Sequence, residues 1–479
     1  MSCLKETTAE LATGDPILCT GCQAMFNFFS LLTVEEEKQV WVCEFCNHKN
    51  SVHIDAEEKP KSDTVSYIIE AAPVQTKAGT EETKKDECSL AKDISIVYCI
   101  DVSGSMAGSR LTAVQKTIRG QVNEMAEKHP ERKIGIVTFT DNVRIIGDGT
   151  REPLQINGGD LNNYDNILKN AVASSAGLLQ QPLSSTRKAM DKAVDDLRAT
   201  GSTALGPGML AAIGLAGEGS PGSQVIVCTD GAANMGLGVG DSSFYSRIGE
   251  YAQTKGVTVH IVTFIGTECN IEAISIVSQM TNGEIERVDV NNIGQNFKEF
   301  LAKPVLATKV QLKVKVHKGL EFRNELVQNL NEDRTILSKD FGNVNEDTDV
   351  CFEYQMKPLR ELLKIKEIDF SALTKLPFQA QIHYTALDGS RQVRVFTQFL
   401  EISTDKEDLK KNADFQILGI NAIQQSSKLA RQGEFKQAQA VAKAWDKVMN
   451  RDAKTLSTTQ QAEVHNYRAN IGETYSLMH

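Results

Sequence analysis

Two groups of residues in this chain have the types and spacing to hold metal ions. The first is Cys19-x-x-Cys22 followed by Cys43-x-x-Cys46. Each Cys-x-x-Cys turn aims two thiolates at one point, and four such sulfurs fill the closed tetrahedral shell of a structural zinc ion. His48 and His53 lie nearby, but with that shell already full they read as surface residues. The second group is spread widely: Asp101-Val-Ser103-Gly-Ser105, then Gly201-Ser-Thr203, then Thr229-Asp230-Gly231. Two carboxylates and three hydroxyls are hard oxygen donors, which suit magnesium or manganese far better than a soft metal. A lone Asp-x-Ser-x-Ser is weak evidence, because small polar residues crowd ordinary loops. Its weight comes from the two further pieces and from what must position all three.

The positioning elements read as a doubly wound, mostly parallel sheet. From Ile94 to about Leu301 short apolar runs alternate with helical stretches, the pattern of strands linked through crossover helices. Strands are expected at Ile94–Ile100, Ile134–Phe139, Val143–Ile146, Gln224–Thr229, Val257–Phe264 and Ile285–Val288. Helices are expected at about Leu111–Lys128, Ser184–Ala199, Ala204–Ala216, Ser242–Thr254, Asn270–Met280 and Ile293–Leu301, while Thr150–Gln181 gives no clear pattern. Asp101 then lies at the carboxyl end of the first strand and Asp230 just past the fourth, and the crevice of such a sheet opens at those ends. Cys99 and Cys228 each stand two residues before an aspartate and read as buried, reduced thiols.

Around this unit the chain divides into a zinc ribbon at 15–55, a linker at 56–91, the α/β domain at 92–302, a β-sandwich at 303–403 and a helical region at 404–479. The linker is polar, and its Thr80–Glu87 stretch is expected to be a mobile loop. Thr64–Glu70 interrupts it with the alternation of a half-buried strand. Gly433 separates two helical patterns near the carboxyl end.

A net charge of −10 offers no footprint for nucleic acid or an anionic membrane. The longest apolar runs fall well short of the ~20 residues that cross a bilayer. With no signal-like amino terminus and cysteines in Cys-x-x-Cys pairs, a reducing cytoplasmic setting is expected.

With these motifs in hand, residues 92–302 resemble the von Willebrand factor A family, whose metal-ion-dependent adhesion site is written Asp-x-Ser-x-Ser with a distant Thr and a distant Asp. The resemblance implies that Ser103, Ser105 and Thr203 supply hydroxyl ligands, that Asp101 and Asp230 bind directly or through water, and that the last position is left to a partner. The implied ion is magnesium, with manganese or calcium as alternatives. The resemblance also sets the strands of Cys99 and Cys228 side by side, which implies that their side chains share a level in the sheet. The order of ribbon, linker strand, A domain, sandwich and helices also resembles the inner-coat subunits of the COPII vesicle coat. Asn27, Trp41 and Asn50 around the cysteines, and Thr64-Val-Ser-Tyr67-Ile, carry that likeness.

The chain departs from those subunits in its intact adhesion motif and in ending where their gelsolin-like domain would begin. Some proteins related to circularly permuted Ras enzymes carry a similar module. No Gly-x-x-x-x-Gly-Lys-Ser/Thr phosphate loop occurs here, so a GTPase activity of its own is not expected. No histidine or free carboxylate stands beside the three loops as a general base. The expected function is therefore a non-enzymatic scaffold that binds a protein carboxylate through a divalent ion, with a coat-like trafficking subunit as the alternative.

Overall fold

The computed structural model describes Leu4 and residues 10–72, 94–267, 271–366, 368–370, 372–403, 405, 413–431, 433–451, 461–462 and 464–465. The Thr80–Glu87 loop and most of the chain beyond 451 lie outside the described residues.

The amino-terminal unit follows the short strand β1 (Glu10–Leu11) and contains β2 (Leu32–Glu35), β3 (Lys38–Val42) and β4 (Lys49–Val52). The last three form an antiparallel sheet. Its core is small, with Trp41 and Phe45 fully buried and Phe26 set edge-on to Trp41 at 5.3 Å. So little apolar area cannot hold a segment of this length by itself, and a metal-dependent unit is the physical expectation.

The strand β5 (Thr64–Glu70) leaves the ribbon and pairs antiparallel with a strand far along the chain, Tyr67 opposite Val393. The α/β domain is then inserted. Its strands are β6 (Ser95–Asp101), β7 (Lys133–Phe139), β8 (Asn142–Gly147), β9 (Leu154–Asn157), β10 (Gln224–Thr229), β11 (Thr258–Phe264) and β12 (Ile285–Val288), in spatial order β12-β11-β10-β6-β7-β8-β9. The five strands from β12 to β7 are parallel, and β8 and β9 turn back antiparallel at one edge. Around them lie α1 (Ser109–Lys128), α2 (Tyr164–Leu178), α3 (Leu183–Asp195), α4 (Leu205–Ala216), α5 (Ser242–Lys255), α6 (Ile271–Met280) and α7 (Ile293–Ala302). Every residue of β6 and β10 is buried, as near-continuous apolar runs require when helices cover both faces. The stretch 150–181, which had no clear pattern, holds the edge strand β9 and the helix α2. Only Ile167, Ala171, Ser175 and Leu178 of α2 are buried, a stripe diluted by polar neighbours.

After the insertion come β13 (Ala307–Val316), β14 (Leu320–Arg323), β15 (Ile336–Val344), β16 (Glu353–Met356), the short α8 (Leu359–Leu362), β17 (Lys375–Thr385) and β18 (Arg391–Glu401). One sheet has the order β1-β5-β18-β17-β13-β15, and the second is the two-stranded β14-β16. The strand β16 begins only at Glu353, and Val350 and Phe352 just before it pack on the core between these sheets. On the other face of the large sheet sits the ribbon: the Gln379 amide accepts from the Met25 N–H at 2.7 Å and donates to the Met25 carbonyl at 2.9 Å. A helical hairpin, α9 (Phe415–Arg431) and α10 (Phe435–Arg451), turns at Gly433. It docks on the small sheet through Asn421, whose amide donates to Glu353 at 2.9 Å. The sandwich meets the α/β domain at the amino end of β11, where Asn343 donates to Thr258 at 2.9 Å, the end of the sheet opposite to the carboxyl ends of the parallel strands. No helix among the described residues is long and apolar enough to cross a membrane.

Candidate functional site

The ribbon cysteines converge. Cys19 Sγ lies 3.7 Å from Cys46 Sγ, Cys22 Sγ lies 3.6 Å from Cys43 Sγ, and all four sulfurs fall within 4.8 Å of one another. Four sulfurs at about 2.3 Å from a central zinc would stand about 3.8 Å apart, so the cage fits the ion. The crowded sulfurs hold their protons unequally: hydrogen bonds from Cys22, Cys43 and Cys46 hold the Cys19 thiol far below its usual range, while Cys22 and Cys43 are pushed up by their neighbours and by burial. The Asn50 amide donates to Cys19 Sγ at 3.4 Å and to the His48 carbonyl at 3.1 Å, tying one sulfur to the turn that carries another. His48 and His53 are not in the cluster.

The oxygen donors of the α/β domain meet at the point where strand order reverses. β6 is flanked by β10 on one side and β7 on the other, and the loop after β6 must cross that crevice. Ser103 Oγ and Ser105 Oγ are 3.1 Å apart, and Ser105 Oγ donates to Asp230 Oδ1 at 2.6 Å. Asp101 Oδ1 accepts from the Ser103 N–H at 2.8 Å. A Cβ on Gly231 would stand 3.8 Å from Thr203 Oγ1 and 3.9 Å from Ser105 Oγ, so both hydroxyls face one small space beside Asp230. All five predicted donors are therefore brought together. Asp101, Ser103, Thr203 and Asp230 are buried, and Ser105 reaches the surface.

The backbone behind them is fixed from several directions. The Val102 N–H donates to Phe139 O at 2.9 Å, the Thr200 N–H to Val102 O at 2.8 Å, and the Gly104 N–H to Gly201 O at 3.1 Å. Gly201 adopts φ +77°, and a Cβ there would come within 2.5 Å of Thr140 Oγ1, so only glycine fits. Helix α4 starts two residues after Thr203 and is buried over its whole length. Gly208 lets it lie flush on β7, since a Cβ would meet the Phe139 ring at 2.6 Å.

Three contributors were not foreseen. Thr229 donates its hydroxyl to Asp101 Oδ2 at 2.6 Å. Asn234 clamps Thr203, with its Oδ1 accepting from the Thr203 N–H at 2.8 Å while its own N–H donates to the Thr203 carbonyl at 3.1 Å. Arg110, on the first turn of α1, donates to Asp230 Oδ2 at 2.5 Å and to the Ser105 carbonyl at 3.1 Å. Thr229 follows from strand register. Cys228 pairs with Ile100, and Cys99 pairs with Val227. The two strands are thus offset by one residue relative to their aspartates, which sets Thr229 beside Asp101. The same offset corrects the expectation that Cys99 and Cys228 share a level: they point into the cores on opposite faces of the sheet, because a one-residue shift reverses the face. Both thiols are fully buried, which pushes them well above their usual range.

Electrostatically the site is starved of cations on one side. Burial pushes the Asp101 carboxyl up, an effect opposed by the hydrogen bonds from Ser103 and Thr229. No ion pair among the described residues serves Asp101, whereas Asp230 has Arg110. A buried carboxylate without a cation, facing hydroxyls and a second carboxylate, is a donor set that fits a hard divalent ion.

The fold is that of a von Willebrand factor type A-like domain joined to a zinc ribbon similar to that of Sec23/Sec24. Family models of both match, the Sec23/Sec24 zinc finger over residues 16–55 and the von Willebrand factor type A domain over residues 96–159. Among solved structures, the human COPII-coat protein Sec24c superposes with a TM-score of 0.62 at 14% identity, over 98% of this chain and 64% of that one. A von Willebrand factor type A protein from Catenulispora acidiphila gives 0.46 at 14% identity over 81% of this chain and 82% of its own. Among curated proteins, Circularly permutated Ras protein 1 of Dictyostelium discoideum is 29% identical over 92% of this chain. The chain spans 54% of the length of that relative.

Proposed function

We propose that this chain is a non-enzymatic scaffold that binds a protein partner through a divalent ion, magnesium before manganese or calcium, held by Asp101, Ser103, Ser105, Thr203 and Asp230. The observation that carries this reading is the convergence of the five oxygen donors, from three separate loops, at the switch point of the sheet. An ion held by neutral hydroxyls and two carboxylates keeps enough field to attract one more carboxylate, which the partner supplies as aspartate or glutamate. The chain's own residues do the rest: Ser103 and Thr229 orient Asp101, Ser105 orients Asp230, and Asn234 sets Thr203. Nothing in this role requires bond breaking, and magnesium-dependent hydrolysis of phosphate esters that disappears in Asp101→Ala would overturn it. We place the protein in the cytoplasm, where a four-cysteine zinc ribbon stays reduced. Proximity labelling in cells tests the reading directly. Partners present with wild type and absent with Asp101→Ala support it, and identical partner sets contradict it.

A second reading, a subunit of a vesicle coat between endoplasmic reticulum and Golgi, is favoured by the extent of the likeness to Sec24c, which covers 98% of this chain. Binding would then run over the broad surface of sandwich, ribbon and A domain. Accumulation at endoplasmic-reticulum exit sites, unchanged in Asp101→Ala, would favour it over the first.

A further inference from the structure

Among the described residues, the ion pair between Arg110 and Asp230 stands out by its fully buried carboxylate. The Asp230 side chain is completely buried, while 32% of the Arg110 side chain remains exposed. Other pairs among the described residues keep some exposure at both ends, from 63% and 50% for Lys49 with Glu35 down to 23% and 13% for Lys339 with Glu325. Arg110 therefore reaches in from the solvent side and closes on a carboxylate that belongs to the oxygen-donor cluster. With Ser105 Oγ on Oδ1 and Arg110 on Oδ2, both Asp230 oxygens are engaged. The second Arg110 contact, to the Ser105 carbonyl, anchors the guanidinium at the rim of the cluster.

We infer that Arg110 is a built-in competitor of the divalent ion and a second contact for the partner's carboxylate. The inference rests on the reading of the five donors as a cation site. The charges argue for it. Two carboxylates and a divalent ion sum to zero, and Arg110 raises the loaded site to plus one, so an anionic group is drawn in and a cationic one rejected. Before the ion enters, the same guanidinium neutralises Asp230 and lowers the site's affinity for any cation. Afterwards it sits beside a divalent charge that repels it, and its remaining N–H groups can take an oxygen of an incoming carboxylate in the fork geometry that guanidinium favours. Metal and Arg110 thus compete for Asp230, and partner and Arg110 cooperate.

Removing the guanidinium should move two affinities in opposite directions. A merely structural Arg110, fastening α1 to the loop after β10, would on removal loosen both. The experiment titrates manganese into the full chain and reads free ion by electron paramagnetic resonance, for wild type, Arg110→Gln, Arg110→Met and Arg110→Lys. The neutral variants are expected to bind manganese about three- to tenfold more tightly, the range for an ion pair with one buried end, with Arg110→Lys near wild type. In the manganese-loaded protein, acetate followed by water proton relaxation should bind several-fold more weakly to the neutral variants. Equal or weaker manganese binding by both neutral variants overturns the competitor role and leaves the cation site standing. Absence of manganese binding in wild type and variants alike overturns the inference and the cation site together. Circular dichroism of each variant checks that the fold is kept.

Discussion

The two constellations of candidate metal donors in this molecule are built in opposite ways. In the ribbon, four soft donors come from two turns, with Cys19 and Cys46 only 27 positions apart, and the donor set by itself fills a tetrahedral shell. In the A domain, hard donors as far apart as Ser105 and Asp230, 125 positions, are assembled by a parallel sheet, and the exposed Ser105 and partly exposed Arg110 stand on the solvent side of the cluster. A local cage with little core beneath it makes its metal part of the fold. A distributed cluster on a finished core can gain or lose an ion without unfolding. The first arrangement is suited to holding a shape and the second to reversible contact.

The comparison breaks most visibly on metal removal. Stripping zinc with a strong chelator, or replacing Cys22 and Cys43 by Ser, should unfold the ribbon, since structural zinc contributes about 10–16 kcal/mol in small fingers. Trp41, fully buried now, should become solvated, with red-shifted fluorescence and fast amide exchange across residues 17–52. The sheet face that carries Gln379 and Val395 should lose protection with it. Chelating magnesium should change none of these signals.

The next largest effect is expected at the oxygen donors. Asp101→Ala should lower divalent-ion affinity by more than about 100-fold, because it removes a charge and an anchor together. Thr203→Ala and Asn234→Ala should each weaken it about tenfold, the former by loss of a neutral ligand and the latter by freeing the Thr203 backbone. Thermal melting without metal should place all three close to wild type. A collapse of the fold in Asp101→Ala would show that the cluster is as structural as the ribbon.

A smaller, pH-dependent effect lies on the far side of the A domain. His260 is buried against Phe300, and burial pushes its pKa down to about 3, helped by Lys303. Its folded value lies below the unfolded one near 6.5, so its contribution is complete above pH 6.5 and is lost as pH falls toward 3. Between pH 6.5 and 5 this should cost about 2 kcal/mol. Urea titrations at the two pH values should show that loss in wild type and a flatter dependence in His260→Gln.

The smallest expected effect sharpens the boundary of the ribbon. Lys315 is 3% exposed on β13 and lines the same cleft as Cys22 and Cys46; the hydrogen bond from Cys19 and burial push the Cys22 thiol up, and the Lys315 charge opposes them. Lys315→Met should weaken zinc retention against a competing chelator about two- to threefold.

Much of this was legible in the sequence because each site carries a local signature. The two Cys-x-x-Cys turns report their own geometry, and Asp101 and Asp230 lie at the ends of strong apolar runs. What supports the second site was hidden by long-range facts. Thr229 matters only through a one-residue offset between β6 and β10, and no local pattern encodes register. Asn234 and Arg110 look like ordinary polar residues of a loop and a helix, because their partners lie 31 and 120 positions away. The helix α2 was illegible because polar residues interrupt its buried stripe.

The central claim is that one chain holds a permanent soft-metal cage and a separate, exchangeable hard-metal site. Crystals of the full chain soaked in millimolar manganese, with anomalous data collected at the manganese and zinc edges, test it most directly. The account predicts a zinc peak among Cys19, Cys22, Cys43 and Cys46 that survives a magnesium back-soak, and a manganese peak among Asp101, Ser103, Ser105, Thr203 and Asp230 that does not. No manganese at the second position, with the five side chains still gathered and Arg110 still on Asp230, would contradict it.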